Sequence, residues 1–253
     1  MALFFCLLAC KPVEPAPDDL ETLFHWMWAG FEDEEDARLR EGGVNLEALV
    51  SEALTGSLED LTPDEQSVVE LDAPADPAEA TGIFLAGELL CDMATLESIV
   101  IDLDQLALYP DAYDTYERTY LDDADAYLDR AAPMLGWETN YTTTPPIGAP
   151  YSERLYGGVR WVPAGDEGGA LLLARVWMPE PAVFESGSAR FEQDYQIEAY
   201  VERSDGVLVH AYAIWREFDL GAGLDMENEG VQRLTLDSLG DWDRATEQRC
   251  AER

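Results

Sequence analysis

Residues 193–218 read QDYQIEAYVERSDGVLVHAYAIWREF. Tyr195, Ile197, Ala199 and Val201 alternate with Gln196, Glu198 and Glu202. Beyond the turn signal Ser204-Asp205-Gly206 the alternation resumes. Val207, Val209, Ala211, Ala213 and Trp215 fall on one side of the return segment, and Leu208, His210, Tyr212 and Ile214 on the other. Period two sustained over this length, in a segment rich in β-branched and aromatic residues, reads as a hairpin of two long antiparallel strands. Strands so long imply a twisted or curved meander.

The same period extends outward. Strands are expected at 153–163, 169–178, 189–203, 206–218 and 229–236, with turn signals AGDEGG at 164–169 and LGAGLD at 220–225. A short helix over 237–250 would close the chain. Upstream of Pro133 and Pro145-Pro146 the pattern is helical. Asp18 or Asp19 can cap a helix with Leu20, Leu23, Phe24, Met27 and Phe31 on one face. Asn45 precedes Leu46, Leu49, Val50, Ala53 and Leu54, a second amphipathic set. Thr62-Pro63-Asp64-Glu65 has capping-box spacing, and Asp76-Pro77-Ala78-Glu79 repeats it. Residues 83–108 are apolar nearly all round, so they belong in the middle of the domain. Residues 111–131 predict one more helix.

Helices first and strands second, with no flexible linker, predict one α+β domain over 19–253: mainly helical over 19–135, mainly strands over 150–253. The N-terminal helices would pack on one face of the C-terminal antiparallel β-meander. This order of elements resembles helix-grip and cone-shaped α+β ligand-binding folds. The resemblance implies an architecture and no activity.

The first residues give an address. Residues 2–9 are all apolar, and eight residues cannot span a hydrocarbon core that needs roughly 20. Leu7-Leu8-Ala9-Cys10 resembles the lipobox of bacterial lipoproteins. The resemblance implies that 1–9 are a signal-peptide remnant, that Cys10 carries the lipid, and that 10–18 form a proline-rich acidic tether, KPVEPAP after the cysteine. No basic segment precedes the apolar run, so translation is expected to begin further upstream. Lys11, rather than aspartate, after the cysteine implies the outer membrane over the inner.

Charge excludes several partners. The chain holds 53 acidic and 15 basic residues, a formal net charge of −38. Residues 1–150 carry 33 of the acids and 5 of the basic residues. Such a field repels phosphate backbones, so nucleic acid is not a partner, and it repels anionic membrane, leaving lipid as the means of attachment. After removal of Cys6 and acylation of Cys10, Cys91 and Cys250 remain, and an oxidising envelope would allow them to bond.

Motifs for chemistry are sparse. Two histidines, His25 and His210, with no HExxH and no paired CxxC, leave no zinc signature. Calcium suits the charge, but FEDEEDAR (31–38) and YLDDADAYLD (120–129) lack the EF-hand glycine, so no metal or cofactor is expected. There is no GxSxG. In GIFLAGEL (82–89) two glycines stand at P-loop spacing, but Glu88 occupies the lysine position. Aromatic residues remain. Tyr113, Tyr116, Tyr120 and Tyr127 recur at helical spacing and, with Trp161, Trp177 and Trp215 on strands, would wall a cleft for a small apolar or sugar ligand. The expectation is therefore a lipid-anchored binding or scaffolding module of the cell envelope. The alternative is a hydrolase-like enzyme using His210 with carboxylates in the helix–sheet cleft.

Overall fold

The computed structural model describes residues 15–145, 149–166, 168–203, 205–221 and 224–253. Cys10, with the signal remnant and most of the tether, lies outside the described residues. In chain order the elements are α1 (Leu20–Gly30), α2 (Asp36–Leu49), β1 (Leu54–Leu58), α3 (Pro63–Gln66), a 3₁₀ turn (Pro77–Glu79), β2 (Thr81–Leu89), α4 (Met93–Val100), α5 (Gln105–Leu108), β3 (Thr115–Tyr120), α6 (Ala124–Leu128), β4 (Met134–Thr143), β5 (Tyr151–Val162), β6 (Leu171–Trp177), β7 (Val183–Phe184), β8 (Arg190–Glu202), β9 (Leu208–Asp219) and α7 (Glu229–Glu252). The strands form one antiparallel sheet in the order β1-β2-β9-β8-β6-β5-β4-β3, with β7 paired to β5.

The hairpin of 193–218 is the spine of this sheet: β8 and β9 pair from Arg190–Asp219 to Glu202–Leu208. Its alternation separates two layers. Tyr195, Ile197, Val209, Ala213 and Trp215 turn towards the N-terminal helices, where Trp28, Leu39 and Leu46 complete a buried core. The even positions of β8 and β9 turn the other way, beneath α7. The α1 layer is fixed by capping. Asp19 accepts from Thr22 N at 2.9 Å at the start of α1. Beyond its end, Arg160 donates to the carbonyls of Phe31 and Glu34, both at 2.7 Å. A cation at a helix C-terminus satisfies carbonyls and complements the dipole.

Several expectations need correction. Residues 111–131 are not one helix: TYERTY at 115–120 is strand β3, and only Ala124–Leu128 is helical. Tyr116, Arg118 and Tyr120 alternate with Thr115, Glu117 and Thr119, a pattern that suits the pleat. The run GIFLAGEL is the inner strand β2, between β1 and β9. Residues 229–236 belong to the closing helix, which starts at Glu229 rather than 237. Val231, Thr235 and Leu239 recur every four residues and give that helix its inner face. Asn45 lies inside α2 rather than before a helix, and its amide donates to the carbonyls of Ala16 and Pro17 at 3.1 and 2.9 Å, holding the end of the tether segment. The capping box at Thr62 forms, but its helix is four residues long. Strands β1, β2 and β3 also fall within 19–135, among its helices.

Candidate functional site: an aromatic cavity under the closing helix

The curved sheet grips α7 across the face away from α1 and α2. Between them lies a cavity of about 240 Å³. Alternation supplies its walls: Tyr116 and Arg118 from β3, Trp137, Thr139 and Tyr141 from β4, and Tyr200 and Tyr212 from the hairpin. Helix α7 contributes Trp242 and Thr246, and the segment after α5 contributes Tyr109 and Tyr113. Four of the rings form a continuous chain of contacts. Tyr109 lies on Trp242 with centroids 3.9 Å apart and planes 18° apart. Tyr113 meets Trp242 edge-on at 6.1 Å and Tyr116 at 4.8 Å. Offset and edge contacts of this kind add to simple burial.

The polar groups around the cavity are mostly satisfied by one another. Arg216 grips Asp194 with two contacts, 3.1 and 2.8 Å. The Tyr200 hydroxyl donates to Glu198, and the Tyr212 hydroxyl to Gln196. Arg118 lies 4.4 Å over the Trp137 ring and donates to the Val100 carbonyl at 2.6 Å. Tyr141 donates to Glu153, whose other oxygen is buried without a partner. Burial, and then the charge of Asp194, push the Glu153 carboxyl up to about 8. Burial also raises the phenols: Tyr109 to about 12, and Tyr113, Tyr141, Tyr200 and Tyr212 well above the usual phenol range. All stay protonated at neutral pH, and those of Tyr141, Tyr200 and Tyr212 serve as donors.

His210 sits behind this wall, 2% exposed, its ring parallel to Tyr200 at 4.3 Å. Nδ1 is 3.0 Å from Asp243 and Nε2 is 3.6 Å from Glu198, charge contacts whose alignment falls short of hydrogen bonds. Burial opposes the charged ring, but the two carboxylates outweigh it and hold the imidazole up at about 9. A ring protonated at neutral pH and faced by a carboxylate at each nitrogen is poorly placed to act as a general base.

The structure divides the residues expected at a cleft. Tyr113 and Tyr116 line the cavity. Tyr120 lies beyond it, donating to the Ile101 carbonyl. Tyr127 is fully buried on α6, and Trp161 carries the Arg130 guanidinium 3.9 Å over its ring. Trp177 and Trp215 pack on the opposite face with the N-terminal helices. Sequence reasoning missed Tyr109, Trp137, Tyr141, Tyr200, Tyr212 and Trp242. The alternation Leu135-Trp137-Thr139-Tyr141 was the available signal for two of them.

Cys91, just after β2, and Cys250, near the end of α7, form a disulfide with Cα atoms 5.4 Å apart. It bolts the last turn of α7 to the sheet. Arg249 adds a bond to the Leu108 carbonyl at 3.0 Å, and Tyr109 meets Thr246 at 2.8 Å. Among the described residues, no group of three or more His, Cys, Asp or Glu side chains could hold a metal ion, and no helix is long and apolar enough to cross a membrane.

Sheet, cavity and clasping helix together define a helix-grip α+β protein. No family model matches the chain, and no curated protein matches it in sequence. Solved structures are similar to it at low identity. Human STARD10 superposes with a TM-score of 0.44 at 11% identity, over 80% of this chain and 70% of that one. Norcoclaurine synthase from Thalictrum flavum, in complex with dopamine and hydroxybenzaldehyde, gives 0.41 at 13% identity, over 73% and 96%. The START superfamily protein from Mycobacterium smegmatis gives 0.38 at 12% identity, over 68% and 97%.

Proposed function

We propose that the chain is a lipid-anchored binding module of the cell envelope whose cavity takes a small molecule built on an aromatic or apolar ring. The observation that carries the binding reading is the cavity wall: eight tyrosine and tryptophan side chains line one space. A few polar groups among apolar walls is the usual composition of a small-molecule site. At about 240 Å³ the space is below the roughly 300–1,000 Å³ of drug-sized pockets, so it suits one or two rings. A sugar fits less well, because Arg216, Glu198 and Gln196 already engage partners and leave few groups for hydroxyls.

The anchor rests on Leu7-Leu8-Ala9-Cys10 and the KPVEPAP that follows the cysteine. Two acyl chains on Cys10 hold a protein to a bilayer stably where one does not. Lys11 favours the outer membrane.

Each half has its own test. Isothermal titration with 2-naphthol should give saturable binding, and Ala174→Leu, which fills the cavity from β6, should weaken it at least tenfold. A folded protein without saturable binding, or a variant that binds as well as the parent, removes the cavity reading. Intact mass of the membrane-extracted protein should equal residues 10–253 plus acyl chains, and Cys10→Ala should abolish the increment. An unmodified mass in the soluble fraction removes the anchor.

A further inference from the structure

A second depression, about 560 Å³, lies on the opposite face of the sheet, over β4, β5 and β6 beside the end of α1. Its floor is a gap in the side-chain pattern. Gly136 on β4 and Gly158 on β5 are direct cross-strand partners. Glycine inside a sheet costs stability and marks places where something approaches the backbone closely. The chain's own packing explains the neighbouring Gly157, on the cavity face, where a Cβ would lie 2.7 Å from Trp137 Nε1. Asp122 accounts for Gly136, where a Cβ would lie 2.9 Å from its Oδ2, but no side chain crowds Gly158 in the same way: a Cβ there meets Leu135 O at 3.3 Å, Gly136 Cα at 3.6 Å and Phe31 Cε1 at 3.8 Å.

The walls are aromatic and the rim is acidic. Tyr156 and Trp177 stand with ring centroids 5.7 Å apart. Glu32, Glu70, Asp72, Asp122 and Glu138 border the depression. Its one lining cation, Arg175, is 1% exposed, paired with Glu32 and 5.6 Å from the Trp177 ring centroid, and Arg154 beside the depression is 5.5 Å from that of Tyr156, so each ring already has one guanidinium against it. Asp72 pairs with Arg154, and Asp122 accepts from Gly136 N at 2.7 Å. Glu70 and Glu138 have no ion-pair partner among the described residues.

We infer that this groove binds a small organic cation. An alkylammonium would lay its methyl groups on the glycine floor beside Tyr156 and Trp177, with its charge towards Glu70 and Glu138. Aromatic faces attract a weakly hydrated cation, and the acidic rim adds to that attraction while repelling anions. A bare metal ion is a poorer match for this set, which offers aromatic rings and separated carboxylates in place of a converging ligand shell.

The test is calorimetric titration at constant ionic strength with choline and with its neutral isostere, 3,3-dimethylbutan-1-ol. Choline should bind at one site, at least tenfold tighter than the isostere. Glu138→Gln and Gly158→Ala should each weaken choline at least fivefold. Glu229→Gln, a charge removal on α7, should leave it unchanged. Equal binding of the two ligands, or no saturable choline binding, overturns the inference. So does an unaltered affinity in Gly158→Ala, or an equal loss in Glu229→Gln, which would mean bulk charge attraction alone.

Discussion

His210 Nδ1 stands 3.0 Å from Asp243 Oδ1, so a single buried contact joins the central hairpin to the closing helix. Because the folded-state pKa of about 9 lies above the ordinary 6.5, the contact is linked to pH. Its contribution to stability is complete below about 6.5 and is lost as pH rises through about 9. Glu153 acts in the same direction. Its carboxyl is raised from 4.5 to about 8, so its contribution is complete below about 4.5 and gone above about 8. The melting temperature should therefore fall between pH 6.5 and 9. In His210→Gln the upper part of that fall should flatten. A parent protein with constant stability across this window would show that Asp243 does not hold the imidazolium.

The hairpin strands were legible within two residues because each has one face in each of two apolar layers and its polar residues alternate. The layers themselves were not legible. Alternation shows that Trp215 and Tyr212 point opposite ways, but not which way α7 lies, so Trp177 and Trp215 were assigned to the cleft and the even residues were not. GIFLAGEL was ambiguous for a physical reason. An inner strand buried on both faces gives the same unbroken apolar run as a buried helix. The tyrosines at 113, 116 and 120 satisfy a helical spacing, while 116, 118 and 120 satisfy the pleat. Pairing of β3 with β4, a contact between residues about 20 apart, decided it. Tyr113 and Tyr116 reached the cavity on either reading.

The disulfide makes a separate prediction. It closes a loop of 159 residues, for which chain entropy gives roughly 5 kcal/mol. The Cys91→Ser, Cys250→Ser double variant should lose stability of that order in urea unfolding. Hydrogen exchange should quicken first over 242–252, where the disulfide, Arg249 and Thr246 hold α7. If exchange rises evenly along the helix instead, the C-terminal turns are not its anchor.

Adjacent glycines on β5 should respond differently to alanine. At Gly157 the new Cβ would meet Trp137 Nε1 at 2.7 Å and Val176 Cγ2 at 3.0 Å, both side chains in a packed layer. Overpacking of that kind costs about 1–3 kcal/mol. At Gly158 no contact falls below 3.3 Å, and alanine also recovers some of glycine's entropic cost. Urea midpoints should thus drop clearly for Gly157→Ala and stay near the parent for Gly158→Ala. Equal losses at both positions would mean that the outer face is as tightly filled as the inner one.

Salt should stabilise this protein. With 53 acidic residues against 15 basic ones, most carboxylates face water with no cation to pair. Their mutual repulsion is relieved on unfolding, when the charges move apart. Added salt shortens the screening length from about 30 Å at 0.01 M to about 3 Å at 1 M, which removes most of the repulsion between exposed charges. The pair Arg216–Asp194, with Asp194 buried, is screened less than the exposed charges and should be little affected. The melting temperature is expected to climb by several degrees between 0.01 and 1 M sodium chloride, with most of the gain below about 0.2 M, where the screening length changes fastest. Sodium chloride and potassium chloride should act alike if screening is the cause. A gain seen with one cation and not with the other would identify specific cation binding instead.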